Sequence, residues 1–131
     1  MEKARATFSK RERLTSEKLM EQLFEKGKGR VLSAFPLRMV FMLMECTAGD
    51  EPVQVLISVP KKRLKHAVDR NRVKRQIREA YRLNKQSLIE AVPEGKRLLV
   101  AFVWQSDQLS PSTDVESRLK NLLKRTAQSL V

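Results

Sequence analysis

Between Lys61 and Lys85 the chain carries eleven lysines and arginines against two acids, Asp69 and Glu79, so nine of its twelve net positive charges fall in this one segment. Bases interspersed with acids make a soluble surface, whereas bases massed together make a local field that attracts polyanions. Six of the eleven are arginines, whose planar fork meets a phosphate through two parallel hydrogen bonds, and Asn71 adds a donor and an acceptor for base edges or sugar hydroxyls. The chemistry this pattern supports is phosphate-backbone binding. Other chemistry is poorly supplied. His66 is the only histidine, and there is no Gly-rich phosphate loop, no Cys/His cluster and no nucleophile motif. Neither a catalytic residue nor a metal ligand set is predicted. Asp69 and Glu79, ten positions apart, fall on different faces of a helix and read as surface acids.

A helix must position these bases. At about 100° per residue, Val73, Ile77, Ala80, Tyr81 and Leu88 share one apolar face that has to dock on something, which directs Asn71, Lys74, Arg75, Arg78, Arg82 and Lys85 the other way. Arg70 and Arg72 flank that stripe. Lys61, Lys62, Arg63 and Lys65 precede the helix, where the positive end of its dipole adds to anion affinity. A merely solvated charged face would carry acids at i+4 to its bases, and a membrane-surface or calmodulin-type helix would keep its apolar face exposed. The pattern fits neither.

Around the basic segment the chain reads as a single domain over residues 1–131, without repeats or a linker. Thr15 can cap a short first helix bearing Leu19, Met20, Leu23 and Phe24, with Gly27 as its left-handed stop. Phe35 to Cys46, with Phe35, Leu37, Met39, Phe41 and Leu43 on one face, and Val53 to Val59 read as strands paired antiparallel across the turn Gly49-Asp50-Glu51-Pro52. Leu98 to Trp104 is a continuous apolar run, expected inside the sheet. Thr113 with Glu116 fits a capping box for a last helix whose face is Val115, Leu119, Leu122, Leu123 and Leu130. Trp104 and Tyr81 belong to the core by their patterns, and Cys46 reads as a buried inert thiol. The fold class is α+β, helices packed on a sheet. Met1 to Lys10 has charges with no apolar stretch after them, and no run approaches the roughly 18 apolar residues of a membrane span. No membrane partner and a cytoplasmic location are expected.

The run Ser58-Val59-Pro60-Lys61-Lys62, followed by His66-Ala67-Val68-Asp69-Arg70-Asn71-Arg72-Val73-Lys74-Arg75-Gln76-Ile77-Arg78-Glu79-Ala80-Tyr81-Arg82, resembles the bacterial ribonuclease P protein subunit, whose signature is the Arg70-Asn71-Arg72 tripeptide with Lys74, Arg75 and Arg78 behind it. Arg13-Leu14 before the first helix and Phe24 and Gly27 at its end extend the match over nearly the whole chain. The resemblance implies an α/β sandwich of αβββαβα-type order with a left-handed β-α-β crossover around the basic helix. It implies the protein component of a ribonucleoprotein endonuclease that removes the 5′ leader from precursor tRNA, the chemistry being done by the RNA subunit with bound Mg²⁺. Lys61, Lys65, Arg70, Asn71, Arg72, Lys74, Arg75, Arg78 and Arg82 would then bind the RNA subunit. Met20, Phe24, Met39, Phe41 and Lys62 would line a cleft between the first helix and the sheet that holds the leader. The chain departs from the family at Met20, often aromatic, at Pro60, often small and polar, and at Leu56, often glycine. A thioether at position 20 offers a softer platform than a ring. A ribosomal or assembly-type RNA binder would share the basic helix without needing this cleft, and a protein nuclease would need a carboxylate or histidine cluster that the sequence lacks.

Overall fold

Burial on both faces forces the apolar run of the last strand to the middle of a sheet, and the rest of the architecture follows from that. The structure, a computed structural model, describes residues 8–47 and 49–130, so most of the charged start Met1 to Lys10 lies outside the described residues. The elements are a 3-10 turn Lys10–Glu12, α1 Glu17–Phe24, β1 Arg30–Ala34, β2 Leu37–Glu45, β3 Val53–Ser58, α2 Ala67–Asn84, α3 Gln86–Ala91, β4 Lys96–Trp104 and α4 Ser112–Ser129. The sheet order is β1-β2-β4-β3. β4 runs antiparallel to β2 and parallel to β3, and β1 is antiparallel to β2.

The expected β2–β3 hairpin is therefore corrected: β4 sits between those strands. Val53 to Ser58 alone could pair with either neighbour, but β4 is the strand that must be covered on both sides, and it takes the central place. β3 then joins its parallel neighbour through α2 and α3, forming a β-α-β crossover. β1 went unseen in the residue pattern, because Phe35 to Cys46 read as one strand. The chain instead turns at Phe35, which is 67% exposed, and only from Leu37 does the alternation bury side chains.

Strand alternation divides the core. Leu37, Met39 and Phe41 of β2, with Val100 and Phe102 of β4, pack against Val73, Ile77 and Tyr81 of α2 and Leu119 and Leu122 of α4. The intervening Val40, Leu99 and Ala101 face the other way, against Leu14 and Leu23. Helices thus cover both faces, α1 alone on one and α2 to α4 on the other. Each fully buried apolar side chain contributes about 1.5–3 kcal/mol. The predicted faces of α2 and α4 and the core places of Trp104 and Tyr81 are as expected.

Local signals fared less evenly. Ser16, not Thr15, caps α1, its Oγ accepting from the Leu19 amide at 3.3 Å. α4 begins at Ser112 after Pro111, so Thr113 lies inside the helix and the Thr113–Glu116 box does not form; the proline's preset φ of −61° starts the turn instead. The basic helix breaks at Lys85, which passes Leu88 to α3. Cys46 is half-buried beyond the end of β2, its thiol 3.6 Å from the Thr47 carbonyl, rather than enclosed. The N-terminal segment lies along the open edge of β3, with the Leu14 amide donating to the Val55 carbonyl at 2.9 Å. An otherwise unpaired strand edge is thereby covered.

Candidate nucleic-acid interface

With Val73, Gln76, Ile77, Ala80 and Tyr81 buried, α2 can turn only its opposite side to solvent. Asn71, Arg72, Arg75 and Arg78 are exposed there, and Lys74 and Arg82 are half-buried at its margin. Among the described residues Lys61, Lys62, Lys65, Arg72, Lys74, Arg75 and Arg78 form no ion pair. Two grooves flank the helix. One of about 450 Å³ lies toward the start of α4 and is lined by Val68, Arg72, Arg75, Gln76, Glu79 and Ser112. The other, about 230 Å³, lies toward β3, where Lys74 and Arg78 face Phe8, Arg13 and Leu56. Both are open and cationic, as a surface that follows a phosphate backbone should be.

Four basic residues of the segment have partners inside the protein, among them Arg63, whose Nη1 lies 3.4 Å from Asp107 Oδ1. Arg70 turns back on the loop before the helix, its Nη1 donating to the carbonyls of Leu64 at 3.0 Å and Lys65 at 2.7 Å, so it fixes the backbone that presents Lys61, Lys62 and Lys65. Arg82 is paired with Glu79, its Nε 3.0 Å from Oε2, and hydrogen bonding from this guanidinium holds the Glu79 carboxyl below its usual range. Lys85, counted in the basic stripe by its angle, is buried: its Nζ lies 2.7 Å from Glu12 Oε2. Helical angle alone misplaced it, because the 3-10 turn from the N-terminal segment covers that end of α2. His66 stands at the N-cap of α2, exposed and without a capping bond of its own.

The cleft side of the sheet corrects two positions. Met39 and Phe41 are 0% and 1% exposed and point into the core beneath α2 and α4, away from α1. Side chains alternate along a strand, so a one-residue misassignment of face moves every member to the wrong side. The row of β2 on the α1 side is Arg38, Val40, Met42 and Met44. Met20 is half-buried against that row, and Phe24 at the end of α1 is 48% exposed. Met20 therefore lies between α1 and the sheet and Phe24 is exposed at the end of the same helix; Lys62 is exposed in the loop beyond β3. Gly29 permits the approach of α1, because a Cβ there would lie 2.4 Å from the Leu23 carbonyl oxygen and 2.9 Å from Val40 Cγ1. Arg38 and the groove-lining Arg13 were not singled out as ligand contacts from the sequence. For Arg38 the signal was present, since it is the one charged residue inside the alternating run Leu37 to Met44.

Among the described residues no group of three or more His, Cys, Asp or Glu could hold a metal ion, and no helix is long and apolar enough to cross a membrane. Comparison with known proteins agrees with the geometry. A family model described as ribonuclease P matches residues 8–127. The ribonuclease P protein component of Porphyromonas gingivalis is 41% identical over 126 residues, spanning 93% of this chain and 89% of that one. The ribonuclease P protein of Thermotoga maritima superposes with a TM-score of 0.62 at 26% identity, over 87% of this chain and 96% of its own. That of Staphylococcus aureus shares the fold, with a TM-score of 0.63 at 20% identity, over 87% and 94%. On the family model and the identity to the Porphyromonas gingivalis relative, the chain belongs to the ribonuclease P protein family.

Proposed function

We propose that this protein acts as a single RNA-binding domain in the cytoplasm, binding the catalytic RNA of ribonuclease P and the 5′ leader of precursor tRNA, so that the RNA cleaves at the mature 5′ end. The observation that carries the reading is the set of exposed cations on α2, Arg72, Arg75 and Arg78, which form no ion pair among the described residues, in a chain of the ribonuclease P protein family. Asn71, Arg72, Lys74, Arg75 and Arg78, with Lys61 and Lys65, contact the RNA subunit directly. Arg70 and Arg82 act there through the loop and the acid they hold. Each phosphate met by one of these bases releases condensed counterions, which makes assembly steeply salt-dependent. Mg²⁺ is held by the RNA subunit. No step of the reaction is assigned to a protein side chain. Incubating precursor tRNA with the protein, with the RNA subunit and with both tests this reading: leader removal is expected only where the RNA is present, and cleavage by protein alone would overturn it.

The leader lies in the cleft on the α1 side, with Met20 and Phe24 as its apolar wall and Lys62 at its mouth. Unpaired bases stack on an exposed ring, a contact worth on the order of 1–3 kcal/mol per base, and mature tRNA has no 5′ leader bases to place there. Phe24→Ala is therefore expected to weaken holoenzyme binding of precursor tRNA by roughly tenfold while binding of mature tRNA is nearly unchanged. Being half exposed, Phe24 can be truncated without opening a core cavity. An equal loss for both substrates would remove the leader from this face.

A further inference from the structure

The α1-side row of β2 contains one residue that packing does not explain. Val40, Met42 and Met44 are apolar or thioether side chains that close against α1. Arg38 belongs to the same row, cross-strand from Ser33 on β1 and Val103 on β4. It forms no ion pair and no hydrogen bond with any described residue, and its buried Nε has no partner among them. A guanidinium half taken out of water without an acceptor costs free energy, and a strand in this position would be more stable with another valine or methionine. A donor left in that condition calls for a partner from outside the chain, an ordered water or an anion.

The surroundings identify the anion. Arg38 is two residues from Val40 on one strand face, a spacing of about 7 Å. Val40 is where the end of α1 rests, since its Cγ1 and the Leu23 carbonyl both close on Gly29. Phe24, next in sequence to Leu23, is 48% exposed at this corner, and Val31, cross-strand from Val40, is 48% exposed as well. An exposed ring at the end of α1, an exposed aliphatic surface on β1 and an unpaired fork of donors on β2 are therefore all associated with the α1 side of the sheet. That combination suits an unpaired nucleotide: its base has a flat apolar face and its phosphate takes two parallel hydrogen bonds from an arginine. A free inorganic anion would have no use for the apolar half.

We propose that Arg38 holds a backbone phosphate of the single-stranded leader beside the base stacked on Phe24, making it a leader-binding residue of this chain. The inference rests on the placement of the leader in the α1-side cleft proposed above. The contact is assigned to the two outer nitrogens, because Nε is buried and without a partner among the described residues. Because the contact is to phosphate, it selects for the presence of a leader and is indifferent to its bases.

The test uses the reconstituted holoenzyme with Arg38→Met, which keeps the packed stem and removes the charge, and with Arg38→Lys, which keeps the charge and loses the fork. Dissociation constants are measured for precursor tRNA and mature tRNA, and for precursors carrying a single neutral methylphosphonate at successive leader positions. Arg38→Met is expected to lower the preference for precursor over mature tRNA roughly ten- to a hundredfold, and Arg38→Lys less. At one leader position, neutralising the phosphate should weaken the wild-type complex and leave the Arg38→Met complex unchanged. If Arg38→Met keeps the full preference while Phe24→Ala loses it, the phosphate is held elsewhere; the proposal fails and the cleft stands. If neither variant changes the preference, the cleft placement fails with it. Equal weakening of both tRNAs by Arg38→Met would make the residue structural and overturn the proposal.

Discussion

Replacing Arg72 and Arg75 together with alanine is expected to weaken binding to the RNA subunit by about 2–4 kcal/mol, thirtyfold or more, while the melting temperature of the free protein stays the same or rises. Both side chains are exposed, neither has an ionic partner among the described residues, and both line the groove between α2 and the start of α4. Their removal takes nothing from the core and relieves repulsion within the cationic row. The salt dependence separates this from a general loss of charge. If each arginine neutralises one phosphate, the slope of log K against log salt should fall by about 0.7–0.9 per residue. Titrations of the RNA subunit at several salt concentrations read both quantities, and an unchanged slope would show that these arginines point away from the bound RNA. Arg70→Ala is a useful contrast. Its guanidinium is engaged with the Leu64 and Lys65 carbonyls, so its loss frees a loop rather than a single phosphate contact.

The contrast marks where sequence reasoning succeeds. The 3.6-residue period assigned the buried face of α2 correctly from Val73 to Tyr81, because that face is long and uninterrupted. Nothing in the period says what a neighbouring segment covers, so Lys85 looked like one more base on the stripe. In the same way, the alternation of β2 was visible, but alternation defines two faces without saying which helix lies on which. Met39 and Phe41 were placed on the α1 side, while Arg38, the charged residue of the other row, was passed over. The pairing of β3 was illegible for a related reason: strand partners depend on β4, more than forty residues along the chain. The left-handed conformation of Gly27, with φ of 85°, was read directly because it needs no distant partner, although α1 itself stops two residues earlier, where Glu25 is extended.

Lys85 also carries the largest expected effect on folding. Its ammonium and the Glu12 carboxylate lie 2.7 Å apart with side chains only 9% and 11% exposed, and Glu12 also accepts from the Ser9 amide at 3.0 Å. The pair ties the N-terminal segment to the junction of α2 and α3. From that segment follow Leu14, which pairs with β3, and then α1. Glu12 lies close enough to Tyr81 that its charge, after burial, helps push the Tyr81 hydroxyl above its usual range. Removing one member leaves the other charged without compensation, a loss of about 3–5 kcal/mol, whereas replacing both by apolar groups is often neutral. Lys85→Ala is accordingly expected to lower the unfolding free energy by about 3–5 kcal/mol, and Glu12→Leu with Lys85→Met to recover most of it. Urea unfolding of the single and double variants measures the coupling, and a Lys85→Ala cost below about 1 kcal/mol would show the pair to be solvated. The same variant tests which side of the protein Lys85 serves. At temperatures where Lys85→Ala is still folded, its salt slope for the RNA subunit should match the wild type, because the lysine faces Glu12 and not the phosphates. A slope reduced as in the Arg72 and Arg75 variants would return Lys85 to the basic stripe.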